Sequence, residues 1–542
     1  DRFFTDTKVW TDDGQIGDAG RAQRAHLTYS FPDDGVTWGI STLFFTGPNE
    51  LNAKFTQLFG AGNEDRGREL VRQSFATYRR WSGLTYTEVA DDGSALDMNS
   101  GRVVTRGDIR IGALAYPAET FLAYNAFPSL NGTSNTGGGD MVINTIHFIP
   151  SRFNDPTNNY RYFRNTIAHE HGHGTGAIHV TPCNGTKLME PFIILGQDLL
   201  TIDDRRGAAR SYGDRYAGNQ GLGTPRDLGD LTTPTLRSVI LRGMSTNGST
   251  GAMNTKEDWY RITLSSTQNL VITAEPIGGT YLNGQQTSNC NPSSPPSVNA
   301  TAAGDLRIEL RTFNGLTQLA FVNAQGPGVV EVLNAGSWPA GTYLVKVTDV
   351  GPSTNQEVQL YDLTIRVGSA LALPDPIAGI SKRIRFGTNC YFMGDVNSSA
   401  TETGATIVAY DWDLDGNGTF ETLNNAQPVI QYPSNGIYNV SLRVTDTNGL
   451  SAIDTIPVEV WGATGSVVVN PSSGTPGTSV PVTITGANLQ GVTQASEVTV
   501  SGGGVTVTGT PVASPFGNEI TGLTFNISSG AFPGARNVLV QA

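Results

Sequence analysis

Hydrophobic and polar residues in the first part of the chain follow both the strand period and the helix period. Apolar and polar residues alternate in Leu27–Phe31 and again in Leu84–Val89, which predicts two half-buried strands. Between these segments, four aromatic or aliphatic residues recur at helical spacing, namely Val71, Phe75, Tyr78 and Trp81. Gly107–Ile111 is a further short strand. The pattern therefore predicts the order strand, helix, strand, strand.

After Gly213 the pattern changes to short β-type runs separated by Gly, Pro, Ser and Asn. Hardly any helical periodicity remains, and this spacing is typical of β-sandwiches. Because 542 residues are too many for one hydrophobic core, we expect three or four domains.

The composition indicates an exported protein that does not bind nucleic acid. The chain has 48 acidic and 35 basic side chains, and its net charge of −13 argues against nucleic acid as a partner. No apolar run reaches the roughly 18 residues of a transmembrane segment. The 65 glycines suit a secreted or cell-surface protein rich in loops. We expect that a signal peptide and an inhibitory propeptide preceded Asp1 and were removed.

One eleven-residue segment, from His169 to His179, carries most of the candidate chemistry. It fits the pattern H-E-x-x-H-x-x-G-x-x-H at every fixed position. On a helix, His169 and His173 share one face, and Glu170 between them can reach a metal-bound water. Gly176 lets the chain turn so that His179 becomes a third ligand. Three protein ligands leave one position open, which predicts a single catalytic Zn²⁺.

Two nearby residues could be mistaken for ligands. His171 lies two positions from both His169 and His173, so we expect it to point away from the metal. Cys183 follows the third histidine, but three histidines already bind the zinc, and we expect this cysteine to be structural or paired. The chain has three cysteines, so at most one intrachain disulfide can form.

The segment resembles the metzincins, and within them the matrixin branch of zinc metalloproteases. Met189 stands where that family has its Met-turn, beneath the three histidines. The resemblance implies that the wall of a specificity pocket is formed by Pro191, Phe192 and Ile193. It also implies that Leu122–Pro128 is the edge strand that pairs with substrate, with Leu122 and Ala123 in contact with it.

The end of the first domain has its own local signals. Ile202–Gly213 is similar to the closing helix of a matrixin domain. Thr201 and Asp204 read as a variant capping box, and Gly213 stands where a helix stops. We therefore place the catalytic domain at residues 1–218.

The chain departs from the matrixin pattern in one respect. Tyr124 and Val142 stand where histidines of a second, structural zinc site are usual, so we expect that zinc to be absent. Ca²⁺ is a second candidate cofactor, held by Asp140 and neighbouring carbonyl groups. The alternative is that Asp140 only forms a turn, and this alternative is favoured.

The resemblance implies peptide-bond hydrolysis. Zinc lowers the pKa of a bound water to roughly 7, and Glu170 acts as general base before it protonates the leaving amine. Because the three histidines must be neutral to bind zinc, activity is expected to fall below about pH 6.

Three β-sandwich domains are predicted after residue 218. Residues 219–369 resemble the bacterial pre-peptidase C-terminal domain, and the residues that carry the resemblance are Asp227–Gly229, Asp258–Ile262 and Gly341–Val347. Cys290–Ala303 is predicted to be a loop inside this domain. Pro374–Pro376 lies in a linker-like boundary after it. Residues 370–461 resemble a PKD domain, on Tyr410–Gly416 and Gly436–Val444. Residues 462–542 resemble an IPT/TIG-type domain, on Pro471–Gly474 and Val480–Leu489.

Three aspartates in the PKD-like segment are similar to the start of a calcium loop. They are Asp411, Asp413 and Asp415. The bidentate glutamate of that loop should fall at Thr422, whereas Glu421 comes one place early. A strand and turn in which these side chains bond to the backbone is therefore the favoured interpretation.

The expected fold class is thus an α/β metzincin catalytic domain, a twisted mixed sheet with an active-site helix, followed by three β-sandwich domains. Two functions stay open. The first is a secreted zinc endopeptidase that acts on protein or peptide and is held near a cell surface or extracellular polymer by its β-modules. The second is a structural or adhesive protein of the cell surface that uses a protease-like domain as a building block. The intact general base Glu170 favours the first.

Overall fold

The computed structural model divides the chain into one mixed α/β region and three β-rich regions, each with its own hydrophobic core. Among the described residues, no helix has the length and hydrophobicity that crossing a membrane would require. The structure describes residues 8–10, 16–18, 22, 24–40, 45–96, 105–116, 121–128, 138–246, 256–286, 295–351, 358–462, 464–487, 489, 492–501, 503–514 and 518–540.

The first domain contains all four described α-helices. Its strands are β1 (Lys8–Trp10), β2 (Ile16–Asp18), β3 (Ala25–Ser30), β4 (Thr37–Ile40), β5 (Phe45–Pro48), β6 (Leu84–Glu88), β7 (Ile109–Leu114), β8 (Ala123–Asn125), β9 (Met141–Asn144) and β10 (Val180–Thr181). Its helices are α1 (Leu51–Phe59), α2 (Asp65–Trp81), α3 (Arg161–Gly174) and α4 (Ile202–Tyr212), and a short 3-10 helix spans Thr145–His147. The predicted strand-helix-strand-strand order corresponds to β3, α2, β6 and β7.

The central sheet of the first domain is mixed, with the order β6-β3-β7-β9-β8. Strands β3, β6, β7 and β9 run parallel, whereas β8 joins β9 antiparallel and forms one edge. The core between the sheet and helices α2 and α3 contains aromatic and aliphatic residues such as Tyr29, Phe75, Ile111 and Ile167. These side chains are the apolar face of the predicted amphipathic pattern.

The second domain is a sandwich of two antiparallel-rich sheets. Its strands are β11 (Arg226–Asp230), β12 (Val239–Thr246), β13 (Glu257–Leu264), β14 (Gln268–Ile277), β15 (Thr280–Leu282), β16 (Gly284–Gln285), β17 (Ser297–Asn299), β18 (Leu306–Thr312), β19 (Gln318–Val322), β20 (Glu331–Trp338), β21 (Gly341–Asp349) and β22 (Gln359–Val367). One sheet has the order β11-β13-β21-β18-β19 and the other β12-β22-β14-β20. Alternating apolar residues of both sheets form the core between them.

The third and fourth domains are smaller sandwiches. The third has β23 (Lys382–Arg385), β24 (Cys390–Tyr391), β25 (Ile407–Asp413), β26 (Val429–Ile430), β27 (Gly436–Asp446) and β28 (Ser451–Trp461), around the buried Trp412. The fourth has β29 (Thr464–Asn470), β30 (Ser479–Ala487), β31 (Val498–Val500), β32 (Val505–Ala513), β33 (Glu519–Ile527) and β34 (Val538–Val540), with a 3-10 helix at Ala495–Glu497.

One connection differs from its prediction, and a second is bound to its neighbours by side chains. The predicted loop Cys290–Ala303 contains strand β17, because Ser297–Asn299 pairs with Thr280–Leu282. The predicted linker Pro374–Pro376 is held in place, since Asp375 forms an ion pair with Arg215 and a bridge with Ser399. Cys183 is disulfide-bonded as expected, Cys390 is a buried free thiol, and Cys290 lies outside the described residues.

Helix α2 joins the first domain to the third through buried charges. The Lys382 ammonium lies 2.6 Å from the Glu69 carboxylate, and both side chains are 1% exposed. Arg72 on the same helix binds Asp65 and Glu88, and the Glu88 carboxylate also accepts the backbone N–H of Arg383. Ile380 and Met393 belong to the hydrophobic core of the first domain. The interface therefore has the burial and the paired charges of a domain interior.

We expect Lys382→Met to destabilise the chain by about 3–5 kcal/mol, because the buried Glu69 carboxylate then loses its counter-charge. Thermal and urea unfolding of the full chain measure this effect. The control is Glu459→Gln, which removes the carboxylate of a half-exposed ion pair with Arg383 in the same domain. This control should cost at most about 1 kcal/mol. Equal effects of the two substitutions would contradict the buried role of Lys382.

Candidate metal centre

The three predicted histidine ligands come together at the end of helix α3. His169 and His173 project from one face of the helix, and His179 approaches from the segment that follows it. The Nε2 atom of His179 lies 3.1 Å from the Nε2 atoms of both His169 and His173. The three side chains form a group close enough to bind one metal ion. The structure thus brings together all three residues that the motif assigned as ligands.

In two of the three rings the second nitrogen, Nδ1, already has a hydrogen-bond partner. His169 Nδ1 lies 2.6 Å from the Leu188 carbonyl oxygen, and His173 Nδ1 lies 2.7 Å from the Ala177 carbonyl oxygen. Carbonyl oxygens only accept hydrogen bonds, so Nδ1 carries the proton and Nε2 keeps a lone pair. Burial lowers the pKa of His169 to about 4 and, with the two neighbouring rings, the pKa of His173 far below its usual range. Both rings are therefore neutral and ready to bind a metal.

The donor set fits zinc. The Nε2 lone pairs of these histidines point toward one another and repel each other unless a cation lies between them. A tetrahedral zinc with Zn–N distances of about 2.0–2.1 Å places its nitrogen ligands about 3.3 Å apart. The observed 3.1 Å separations are close to that value. Imidazole nitrogens are also the ligands that zinc prefers beside thiolates.

Glu170 lies beside the histidines with its carboxylate buried. It is 8% exposed, and burial raises the pKa of Glu170 to about 8. The backbone N–H of Asn125 on edge strand β8 donates to this carboxylate, which lowers the pKa in part. The general base predicted from the motif thus lies between the helix and the strand expected to bind substrate.

The turn after helix α3 depends on glycine. Gly176 has a φ of +100°, a conformation that L residues rarely adopt, and its N–H donates to the His173 carbonyl group. Gly172 contacts the predicted Met-turn, because a Cβ atom there would lie 2.4 Å from the Met189 sulfur. Met189 is buried against the helix at Gly172, and its role as the floor beneath the three histidines stays a prediction.

A single carboxylate fixes the Met-turn to helix α4. Asp204 accepts the backbone N–H groups of Leu188 and Met189 and also forms the predicted capping box with Thr201. Burial and the neighbouring Asp203 raise the pKa of Asp204 to about 6. Leu188 thus connects Asp204 with the His169 ring, because its N–H donates to Asp204 and its carbonyl oxygen accepts from His169 Nδ1.

The predicted substrate-binding residues differ in how far they are exposed to a ligand. Strand β8 is an edge of the sheet, as predicted, with Ala123 paired to Ile143. The Leu122 carbonyl group is occupied by the N–H of Asn144, and the Ala123 side chain is buried. Phe192 is 67% exposed, whereas Pro191 and Ile193 are half-buried. Phe192 is thus the residue of that segment with the most surface open to a ligand.

His171 points away from the other histidines, as predicted. Its Nε2 atom lies 2.7 Å from the Tyr86 hydroxyl oxygen, and its ring stacks on Phe75 at 4.0 Å between centroids. Burial lowers the pKa of His171 to about 3. It is a residue of the core between helices α2 and α3.

The sequence offered three other places for a metal, and the carboxylates at two of them accept backbone N–H groups. Tyr124 and Val142 are a cross-strand pair beside Trp38. The Asp140 carboxylate accepts the backbone N–H of Arg110. Calcium at Asp140 stays a prediction. In the third domain, Asp413, Asp415 and Glu421 lie close together. Each accepts a backbone N–H from the same turn, as in the favoured interpretation.

We expect the metal-free chain to bind one equivalent of Zn²⁺ and His179→Ala to weaken this binding strongly, because one of three ligands is lost. Competition with a chromophoric chelator measures the dissociation constant. His171→Phe serves as the control within the motif and should leave the zinc affinity unchanged. If the two variants lost affinity equally, the assignment of ligands would be wrong.

The same His171→Phe variant should show a stability difference that depends on pH. At pH 7 we expect it to be less stable than wild type by about 1–3 kcal/mol, because the buried Tyr86 hydroxyl group loses its partner. The pKa of His171 is about 3 in the folded chain and about 6.5 when unfolded, so the unfolded wild type takes up a proton first. Below pH 6.5 the free energy of unfolding of wild type therefore falls, relative to that of the variant, by up to about 1.4 kcal/mol per pH unit.

Urea unfolding of both metal-free proteins between pH 8 and pH 5 measures this difference. The deficit of the variant should shrink as the pH falls below about 6.5. A deficit that stays constant with pH would contradict a neutral, buried His171.

Comparison with known proteins identifies one of the four regions. Residues 374–460 match the family model of the PKD domain, which confirms the predicted PKD-like module. No curated protein matches the chain.

Several solved structures show limited similarity. The PKD domain from KIAA 1837 protein is 22% identical, with 20% of this chain and 100% of that chain covered and a TM-score of 0.15. The carbohydrate-binding modules of a β-sandwich superfamily are 19% identical, with 31% and 84% covered and a TM-score of 0.16. The fibronectin(III)-like modules of Clostridium thermocellum CbhA are 11% identical, with 34% and 87% covered and a TM-score of 0.15.

Proposed function

We propose that the chain is a zinc-dependent endopeptidase of the metzincin class, similar to the matrixins. The observation that carries the proposal is the convergence of the His169, His173 and His179 Nε2 atoms beside the buried Glu170 carboxylate. These histidines would hold the ion, leaving one coordination position for a reactant. When bound, zinc would supply Lewis acidity, which polarises a carbonyl group and makes water a better nucleophile at neutral pH.

Glu170 would accept and return the proton. Its carboxylate lies next to the metal ligands in the chain, and its raised pKa suits a group that exchanges a proton near neutral pH. A cation in the centre would favour its ionised form, which is the form that acts as a base.

Strand β8 would align the substrate. It is the edge of the central sheet, and Asn125 on this strand contacts Glu170. An extended peptide that added to this edge would pass beside the general base, as in β-augmentation. The exposed Phe192, after the Met-turn, would contact a substrate side chain.

The chain would act outside the cytoplasm. Cys183, between the third histidine and the Met-turn, is disulfide-bonded, and disulfides persist mainly in oxidising compartments. The β-modules would hold the enzyme at a cell surface or an extracellular polymer. The acidic chain favours protein or peptide as the partner over nucleic acid.

We expect purified wild type to cleave unfolded casein and Glu170→Gln to lose about 10²–10⁴-fold in kcat/KM, because the general base is removed. The zinc content of the variant should equal that of wild type, since Glu170 is not a ligand. Fluorescent casein cleavage measures activity, and removal of zinc with a chelator followed by its return should abolish and restore it.

A zinc-loaded wild type that cleaves neither casein nor a peptide library would contradict the proposal. The structural or adhesive function would then account better for the chain. Equal activity of Glu170→Gln and wild type would instead exclude Glu170 as the base.

A further inference from the structure

The second domain reaches into the segment that holds the third metal ligand. Strand β10 directly follows His179 and pairs antiparallel with strand β16 of the second domain, Val180 with Gln285 and Thr181 with Gly284. One residue further, the backbone N–H of Gln286 donates to the His179 carbonyl oxygen at 3.2 Å. The main chain at His179 is therefore fixed by residues more than a hundred positions later in the sequence.

A buried lysine strengthens this contact. The Lys187 ammonium is 2% exposed and donates to the Asn283 side-chain oxygen at 2.8 Å and to the Thr181 carbonyl oxygen at 3.1 Å. Its counter-charge is Asp203, also at 3.1 Å. Because a buried ammonium needs acceptors on every side, Asn283 of the second domain helps to hold the segment between His179 and Met189 in this position.

The side chain of Gln286 completes the set of contacts on the three rings. Leu188 and Ala177, both in the first domain, orient His169 and His173 through their carbonyl groups. The His179 ring instead has the side chain of Gln286 beside it, and burial lowers the pKa of His179 more than this side chain raises it. Since His179 Nε2 faces the other two histidines, Nδ1 is the nitrogen left to donate to the amide oxygen.

We propose that Gln286 is a positioning residue of the metal centre, and that the second domain thereby completes a site whose ligands all belong to the first. The inference rests on the proposed zinc centre. Ligating histidines are oriented by the partner of their second nitrogen, and loss of such a partner typically weakens metal binding. His179 needs this orientation most, because it lies beyond the helix that fixes the other two ligands.

The test measures zinc affinity in the full chain. Gln286→Ala should weaken zinc binding by about 10- to 100-fold, the usual effect of losing a partner of a ligating histidine. Gln286→Glu keeps an acceptor oxygen at this position and should bind zinc at least as tightly as wild type. Gln285→Ala, which alters the exposed neighbour on the same strand, is the matched control and should bind zinc as wild type does.

A second pair of variants tests the strand pairing without removing any side chain. A Cβ atom at Gly284 would lie 2.8 Å from the Thr181 hydroxyl oxygen, whereas one at Gly279 meets nothing within 4 Å. Gly284→Ala should therefore bind zinc more weakly than Gly279→Ala. The visible spectrum of the cobalt-substituted proteins reports the ligand geometry directly and should change in Gln286→Ala and Gly284→Ala alone.

The outcomes separate this inference from the proposed function. Suppose that wild type binds zinc and that Gln286→Ala keeps both the zinc affinity and the cobalt spectrum of wild type. This result would overturn the role of Gln286 and leave the metal centre intact. A wild type that binds no zinc would overturn the metal centre itself. Metal-free unfolding of each variant shows whether a lower affinity comes from the site or from a general loss of stability.

Discussion

The local structure around helix α3 depends on the need to orient three imidazole rings toward one point. A histidine on a helix is oriented toward a shared centre through Nε2 when Nδ1 finds a partner on the other side. For His169 and His173 these partners are carbonyl groups that come after the helix, at Leu188 and Ala177. The chain must therefore turn at Gly176 and return beneath the helix at Met189, where Gly172 leaves room for the methionine sulfur.

This return of the chain involves charges that are buried far from water. Asp204 holds the Met-turn by accepting two of its N–H groups, and Lys187 holds the segment before it. Lys187 also donates to Asn283 of the second domain, and Glu69 on helix α2 has Lys382 of the third domain as its counter-charge. Buried ions tolerate little displacement, because each lost partner leaves a charge without compensation. The second and third domains thus pack against the first domain through buried charged and polar contacts and are not loosely tethered modules.

The sequence predicted the parts of the structure that depend on local spacing. The positions of His169, His173 and His179, the capping box at Thr201 and the turn of carboxylates at Asp413 follow from short patterns. The PKD module was likewise recognisable from two segments. Helix α1 was not predicted, and neither was strand β17, whose pairing partner decides its conformation.

Long-range partners of the site escaped prediction for a physical reason. Gln286 and Lys382 are ordinary polar residues in their own segments, and their contacts exist only because another domain packs against them. The boundary predicted at Pro374–Pro376 agrees with the start of the PKD match at residue 374, but its composition gives no sign of the Arg215 side chain that binds Asp375. Local patterns define what a segment can form, whereas the ion pairs that fix its neighbours depend on the assembled fold.

Glu170 favours the proposed endopeptidase over the structural alternative on energetic grounds. Its buried carboxylate has the Asn125 N–H as a partner, and burial raises its pKa to about 8 in spite of that hydrogen bond, so the folded chain bears a cost for keeping it ionised. A glutamine of the same shape would accept the same hydrogen bond without a charge. A purely structural role therefore gives no reason for a carboxylate here, whereas a cation held by the adjacent histidines offsets its burial and proton transfer requires it.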